Sequence, residues 1–469
     1  MSSLTEKTRI NLKNCVNAIR KRLLDDLEQA CYQRYSLSAK DRNKVQLTFQ
    51  EKRAYDRLFA WLEDPARVHK DWLTNLKVLI KERAYTLTNR MFILMQLECR
   101  DLRKVKLISQ GIEKSAFRTE QEFFVALVQG DDQGFAFILQ QVWDQLAIEL
   151  PALFEYNEIH ECLPIPGPTL TWLIETLNQE DLKGAWKDDT TLGWLYQYWN
   201  DPEKVYVENK LKGVGTTKGK VESYEIAKKT QLFTDHYMVE WLLHNTIGDQ
   251  WRAICQKNNW LEKEQYVKNW KGYVWRDLEP SYVEASVHYL ENVKILDPAM
   301  GSGHFLVLAF DLLYSLYRLQ REQQKKEFNA SEIVNIILSK NLHGIDIDSR
   351  AIQISAAALY IKAKEKSPNI TLSNLQIVAT DLGLEHLTTE DKAIKELRSR
   401  LSDEIGINES FIDTLIDNLK YASSLGSLIH LTQDIKDALD NRKQIDIFNY
   451  KKKIITFQKR KKKLPFMKP

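Results

Sequence analysis

Over its first third the chain places apolar residues three and four apart. LKNCVNAIRKRLLDDLEQACY carries Leu12, Val16, Ile19, Leu23, Leu24 and Leu27, the spacing of one helical face. The same pattern returns in YDRLFAWLE, WLTNLKVLIKERAYTLTNRMFILMQL and EFFVALVQGDDQGFAFILQQVWDQLAIEL. Glycine and proline are scarce there, so the spacing predicts a helical bundle over residues 1–163. Pro164-Ile165-Pro166-Gly167-Pro168 is the first strong break and predicts a linker. Beyond it, LGWLYQYWNDPEKVYVENKL falls in a helical, aromatic-rich connecting region, 169–229, which contains a second break at Lys212–Gly219. Such aromatics can stack on unpaired bases, but helical spacing assigns them to a core.

From residue 293 the pattern changes. Val293–Leu296 is a short apolar run of the kind a buried parallel strand shows. It leads into Asp297-Pro298-Ala299-Met300-Gly301-Ser302-Gly303 and then an apolar helix from His304 to about Arg318. Leu342–Asp348 reads as a second strand ending in acids, followed by a helix carrying Ala351, Ile352, Ser355, Ala356, Leu359 and Ala363. Leu375–Ala379 reads as a third strand, ending in Thr380-Asp381-Leu382. Strand, turn and helix in alternation predict an open α/β sheet with a nucleotide site at the carboxyl ends of its strands. Gly301 and Gly303 permit φ > 0 and close backbone approach to a ligand. Asp297 is placed to accept a hydrogen bond from a ligand amine, and Asp346 to accept from ribose hydroxyls. Asp348 reads as the cap of the following helix. Upstream, in TQLFTDHYMVEWLLHNTI, Phe233 and Thr234 precede a helix, with Thr234 expected as its N-cap and Met238, Trp241, Leu242 and Ile247 as its apolar face.

Composition narrows the class only a little. The 67 basic and 64 acidic residues leave a net charge of +3, which does not by itself announce nucleic acid. Arg20, Lys21, Arg22, Lys40, Arg42 and Lys44 read as a solvated helix face rather than a phosphate grip. Five scattered cysteines without a CxxC pair argue against a zinc ribbon or disulfide framework and fit a reducing cytoplasm. The N-terminus has no apolar core of signal-peptide type, and the most apolar helix is broken by Asp311, so a cytoplasmic protein without a membrane segment is expected. No metal cluster and no nuclease constellation of spaced acids before Glu-x-Lys stands out. The chain closes on a charged helical extension, 386–448, and a basic tail, 449–469.

DPAMGSGHFL is longer than a generic DxxxGxG and resembles motif I of the N6-adenine DNA methyltransferases, which bind S-adenosylmethionine. Phe233-Thr234 resembles the start of their motif X, with Asp235 where that family often has proline. Asp346 and Asp381 match the acids of motifs II and III, the latter hydrogen-bonding the adenine amino group with Leu382 against the ring. With the long helical front and FIDTLIDNLKYASSLGSLI, the whole is similar to the PglX-type methyltransferases of BREX phage-defence systems, relatives of single-chain restriction–modification enzymes. The resemblance implies an α/β fold: a helical N-terminal region followed by a truncated, Rossmann-like methyltransferase domain over 230–385. It implies cofactor contacts at Phe233, Thr234, Asp297, Pro298, Ala299, Gly301, Gly303, Asp346, Ile347, Asp381 and Leu382. It further implies methyl transfer to N6 of adenine in double-stranded DNA, with other defence-system proteins as partners.

The family's motif IV, N-P-P-Y or D-P-P-Y, grips the flipped adenine. None of the eleven prolines here is adjacent to another, so that motif is absent from the sequence. The expectation is a truncated or split copy without catalytic residues, inactive alone, and completed by a second chain bearing the NPPY strand and target-recognition domain. The alternative is a non-catalytic cofactor-binding or assembly subunit of a defence complex.

Overall fold

A computed structural model describes residues 4–37, 47, 49–64, 71–111, 134–154, 159–212, 234–370, 375–379, 395–396 and 398–400. Those up to residue 212 and from 234 to 379 belong to one compact unit. The described residues between 395 and 400 are helical and lie in a second unit.

The architecture is mostly helical with a small three-stranded parallel sheet. Helix α1 (Glu6–Tyr35) starts where the Thr5 hydroxyl accepts from the Thr8 amide at 3.2 Å, and buries Leu12, Val16, Ile19, Leu23 and Leu27. Helix α2 (Phe49–Glu63) and helix α3 (Trp72–Cys99) follow, α3 capped by the Asp71 carboxylate on the Thr74 amide at 2.8 Å. From Ala84 to Glu98 every residue of α3 is buried, which makes it the central post of the helical region. Glu98 at its end accepts the amides of Leu107, Ile108 and Ser109 at 2.8–3.0 Å and so fixes the loop that leaves the helix. Helix α4 (Phe135–Glu149), helix α5 (Gly167–Leu177) and helix α6 (Thr191–Lys212) complete this half.

One expectation changes here and another holds. Pro164–Pro168 interrupts the helices without dividing the core. Leu163 and Leu170 on either side are buried in one cluster, and Pro168 sits in the first turn of α5, where its missing N–H costs nothing. The aromatic-rich segment is core: α6 buries Tyr196, Tyr198 and Trp199, and Trp199 packs edge-on against Tyr85 of α3 at 5.4 Å.

The second half opens with helix α7 (His236–Lys257) and reaches strand β1 (Ile295–Asp297), helix α8 (His304–Gln323), helix α9 (Ala330–Ile336), strand β2 (Leu342–Asp346), helix α10 (Ser349–Lys366) and strand β3 (Gln376–Ala379). The strands lie in the order β1-β2-β3, all parallel, with Asp297 opposite Gly344 and Asp346 opposite Ala379. All three expected strands form, each one or two residues shorter than the apolar runs suggest. The crossovers between them are helical, as parallel strands require.

One face of the sheet is packed. A Cβ on Gly344 would collide with Met300 and come within 2.9 Å of Leu306, so glycine in mid-strand lets the turn and α8 lie directly on the sheet. On the opposite face Leu296 and Val378 are 57% and 53% exposed, so the described residues leave that side open.

The helical half is fastened to the other side of α10 by buried charge. Lys362 reaches Asp189 at 2.6 Å and Asp311 of α8 at 2.7 Å, while Arg100 at the end of α3 pairs with Asp189 at 2.9 Å and with Glu365. Lys364 adds a bond to Glu149 of α4 at 2.7 Å. Among the described residues no helix is long and apolar enough to cross a membrane.

Candidate functional site

The site is built on the turn between β1 and α8. The Met300 amide donates to the Ile345 carbonyl at 3.0 Å, and the Gly301 amide to Asp346 Oδ2 at 2.8 Å, so the turn is laced to the end of β2. Gly301 has φ +53° and Gly303 φ +79°, the left-handed region where a Cβ is costly. Their surroundings differ. A Cβ on Gly301 would meet nothing within 4 Å, whereas one on Gly303 would lie 2.8 Å from Ser355 Oγ. That hydroxyl donates in turn to the Gly301 carbonyl at 2.9 Å. Gly303 therefore serves the α8–α10 contact, and Gly301 is the glycine that leaves room for a ligand. The sequence reading had given both the same task.

Asp297 ends β1 at this opening. Its Oδ1 accepts the Ala299 amide at 3.2 Å, while Oδ2 is buried with no hydrogen-bond partner among the described residues. Burial raises its carboxyl above the usual range, and the Asp346 charge adds to that, while the Ala299 amide acts against it. A buried carboxylate oxygen lacking a donor calls for one. A ligand amine or ammonium is a matching donor. Asp346 is differently placed: Oδ1 accepts the Asp348 amide at 2.8 Å and Oδ2 the Gly301 amide. Burial foremost raises its carboxyl too. Asp346 thus ties the turn to the residues that lead into α10. Asp348 caps α10, accepting the Arg350 amide at 2.9 Å, as expected. Burial opposes its ionisation, but the Arg350 guanidinium outweighs it and keeps the carboxyl below the usual range.

The start of α7 meets the same turn. His236 Nδ1 lies 3.2 Å from Nε2 of His304, the first residue of α8, with the rings stacked 5.4 Å apart. His236 Nε2 lies 3.2 Å from Glu240. Burial, and then His236, push His304 down to about 4. The two histidines were not singled out from sequence, although one directly follows Gly303 and the other directly follows Thr234-Asp235.

Of the expected contacts, Thr234, Asp297, Gly301, Gly303 and Asp346 gather around this turn. Pro298 and Ala299 are exposed beside it and Ile347 is half-buried at the end of β2. Phe233, Asp381 and Leu382 lie outside the described residues. Thr234 does not cap α7: the helix starts at His236 with Asp235 at the N-cap position, and no side chain there accepts a first-turn amide. The apolar face of α7 also differs. Val239, Leu243, Ile247 and Trp251 are buried, while Met238, Trp241 and Leu242 are 44%, 52% and 42% exposed.

Residues 276–393, which contain the turn and all three strands, match the family model of the MmeI DNA-methyltransferase domain. Over those residues the chain is thus similar to a DNA-methyltransferase domain. Two relatives sharpen it. Adenine-specific methyltransferase PglX of Lacticaseibacillus casei is 26% identical over 439 residues, 84% of this chain and 34% of the relative. Adenine-specific methyltransferase BrxX of Escherichia coli strain HS is 26% identical over 321 residues, 62% of this chain and 24% of the relative. The PglX-type resemblance carried by the motifs is borne out by these matches. The chain spans about a quarter to a third of the length of those relatives.

Proposed function

We propose that the turn Asp297–Gly303 binds S-adenosylmethionine and that the chain contributes this cofactor site to an adenine-specific DNA methyltransferase of restriction or phage defence, working in the cytoplasm. The observation that carries the reading is the Asp297 oxygen that has no partner among the described residues, beside the open space at Gly301, with the start of α7 brought against the same turn. In this reading Asp297 takes the amine of the methionine end, the Gly301 backbone lines the approach, and Asp346 fixes the turn while facing the ribose. Phe233, Asp381 and Leu382 are assigned to the same site by the motif match alone. S-adenosylmethionine, when bound, supplies an electrophilic methyl group. The protein's own share is alignment, which in such transfers accounts for most of the effect.

No Pro-Pro pair occurs among the 469 residues. We therefore assign the grip on the adenine amine to polypeptide outside them. That same absence favours the second reading, a cofactor-binding or assembly subunit whose chemistry is completed by a partner. Incubation of the chain with methyl-tritiated cofactor and unmethylated genomic DNA separates the two. The expected result is no label from the chain alone and N6-methyladenine when a fragment carrying the NPPY strand and target-recognition domain of a PglX-type relative is added. Label from the chain alone would overturn the assignment of the acceptor site. Cofactor binding without label in the mixture would favour the assembly reading.

A further inference from the structure

The acids of the cofactor turn are held by a residue 152 positions away. Tyr196, on α6 of the helical half, is buried, and its hydroxyl donates to Asp348 Oδ2 at 3.0 Å. Arg350 clamps the same carboxylate with Nε on Oδ1 at 3.0 Å and Nη2 on Oδ2 at 2.9 Å. Its guanidinium lies over the ring of Tyr85 on α3, 5.2 Å from the centroid. Asp348 is thus fixed from three directions: by its own helix, by α6 and, through Arg350, by α3. Its amide then donates to Asp346 Oδ1, and Asp346 Oδ2 accepts the Gly301 amide. The chain of contacts runs unbroken from the helical half into the turn: Tyr196, Asp348, Asp346, Gly301.

From this geometry we infer that Tyr196 is a positioning residue for the cofactor site, acting through Asp348. Its hydroxyl fixes the Asp348 carboxylate, which sets where the Asp348 amide points, which orients the Asp346 carboxylate that holds the Gly301 amide. A buried hydroxyl donating to a charged acceptor is among the stronger protein hydrogen bonds. Outer-sphere partners of this kind orient the residues that touch a ligand. The consequence for organisation is direct: the helical half is part of the cofactor site, although it contributes no residue to the turn. The inference rests on the cofactor reading above.

Tyr196→Phe removes one oxygen and keeps the ring in the core. Two measurements on the full chain test it: the Kd for S-adenosylmethionine by calorimetry, and amide hydrogen exchange of the peptide spanning residues 297–303 without cofactor. The expected result is a Kd raised roughly tenfold and faster exchange in that peptide, with exchange in α1 unchanged. A merely structural role for Tyr196 would spread the change over the core. Asp348→Asn completes a cycle: if Tyr196 acts through Asp348, adding Tyr196→Phe to that variant weakens binding no further. An unmodified chain that binds no cofactor would bring down the cofactor reading and this inference with it. A binding chain whose Tyr196→Phe variant matches it in both Kd and local exchange would leave the reading standing and overturn the inference alone.

Discussion

Asp297 and His304 sit a turn apart and titrate for the same reason, burial, in opposite directions. Burial raises the Asp297 carboxyl and lowers His304 to about 4. His304 is neutral in the fold at neutral pH, while its value in the unfolded chain is 6.5. Between about 4 and 6.5 the unfolded chain therefore binds the extra proton. Stability from this group is present above 6.5, falls as pH drops through that window, and is constant below it. The loss is on the order of 3 kcal/mol. His160, pushed down to about 3 chiefly by burial, contributes in the same direction. Thermal melts at stepped pH should show Tm falling from pH 6.5 to 4, and His304→Gln should flatten part of that fall while leaving the His160 share. A variant with the full wild-type slope would show that burial of His304 does not exclude the proton.

At the scale of elements, the strands and the glycine turn were legible because their signals are local. A four-residue apolar run, an acid at its tip and two glycines in the next six positions specify strand, tip and turn without reference to the rest of the chain. The buried stripe of α7 was not legible. The helix carries two apolar stripes one position apart, Met238 and Leu242 against Val239, Leu243 and Ile247, and packing against α8 decides which is covered. The Pro164–Pro168 break was visible, but whether the chain leaves a core or bends within it depends on contacts far along the sequence. The separate tasks of Gly301 and Gly303 were hidden for the same reason, since Ser355 lies on another helix. They predict a difference. Gly301→Ala should cost about 1 kcal/mol from the left-handed backbone alone, and Gly303→Ala that plus a clash of about 1–3 kcal/mol. In a Ser355→Gly background the Gly303→Ala cost, read from urea unfolding, should shrink towards that of Gly301→Ala. An undiminished cost would place the clash elsewhere.

Across the molecule, the helical and sheet-bearing halves meet through charge. Lys362 is 5% exposed between Asp189 and Asp311, and burial works against its charge until those carboxylates outweigh it. Lys362→Met keeps the stem, takes from Asp311 its nearest cation and leaves Asp189 with Arg100 alone. The expected loss is about 3–5 kcal/mol, measured by urea unfolding at pH 7. Replacing Lys362, Asp189 and Asp311 together by apolar residues should recover most of it, because the stranded charges disappear with their partner. A single-variant loss under 1 kcal/mol would mean that water reaches the cluster and the halves are held by apolar packing. None of this cluster was visible as a motif: its members lie at positions 100, 189, 311, 362 and 365 and meet only in the fold.

The central claim is that the turn after β1 is a cofactor site with Asp297 at its head. The most direct measurement is titration calorimetry of the full chain and its Asp297→Asn variant with S-adenosylmethionine at pH 7.5. Asn is near-isosteric but carries no charge for the ligand ammonium. The account predicts one site per chain, and a Kd for the variant weaker by roughly tenfold or more, with Tm unchanged or slightly raised as a buried charge is removed. Binding of equal strength by both proteins, or no binding by either, would contradict it.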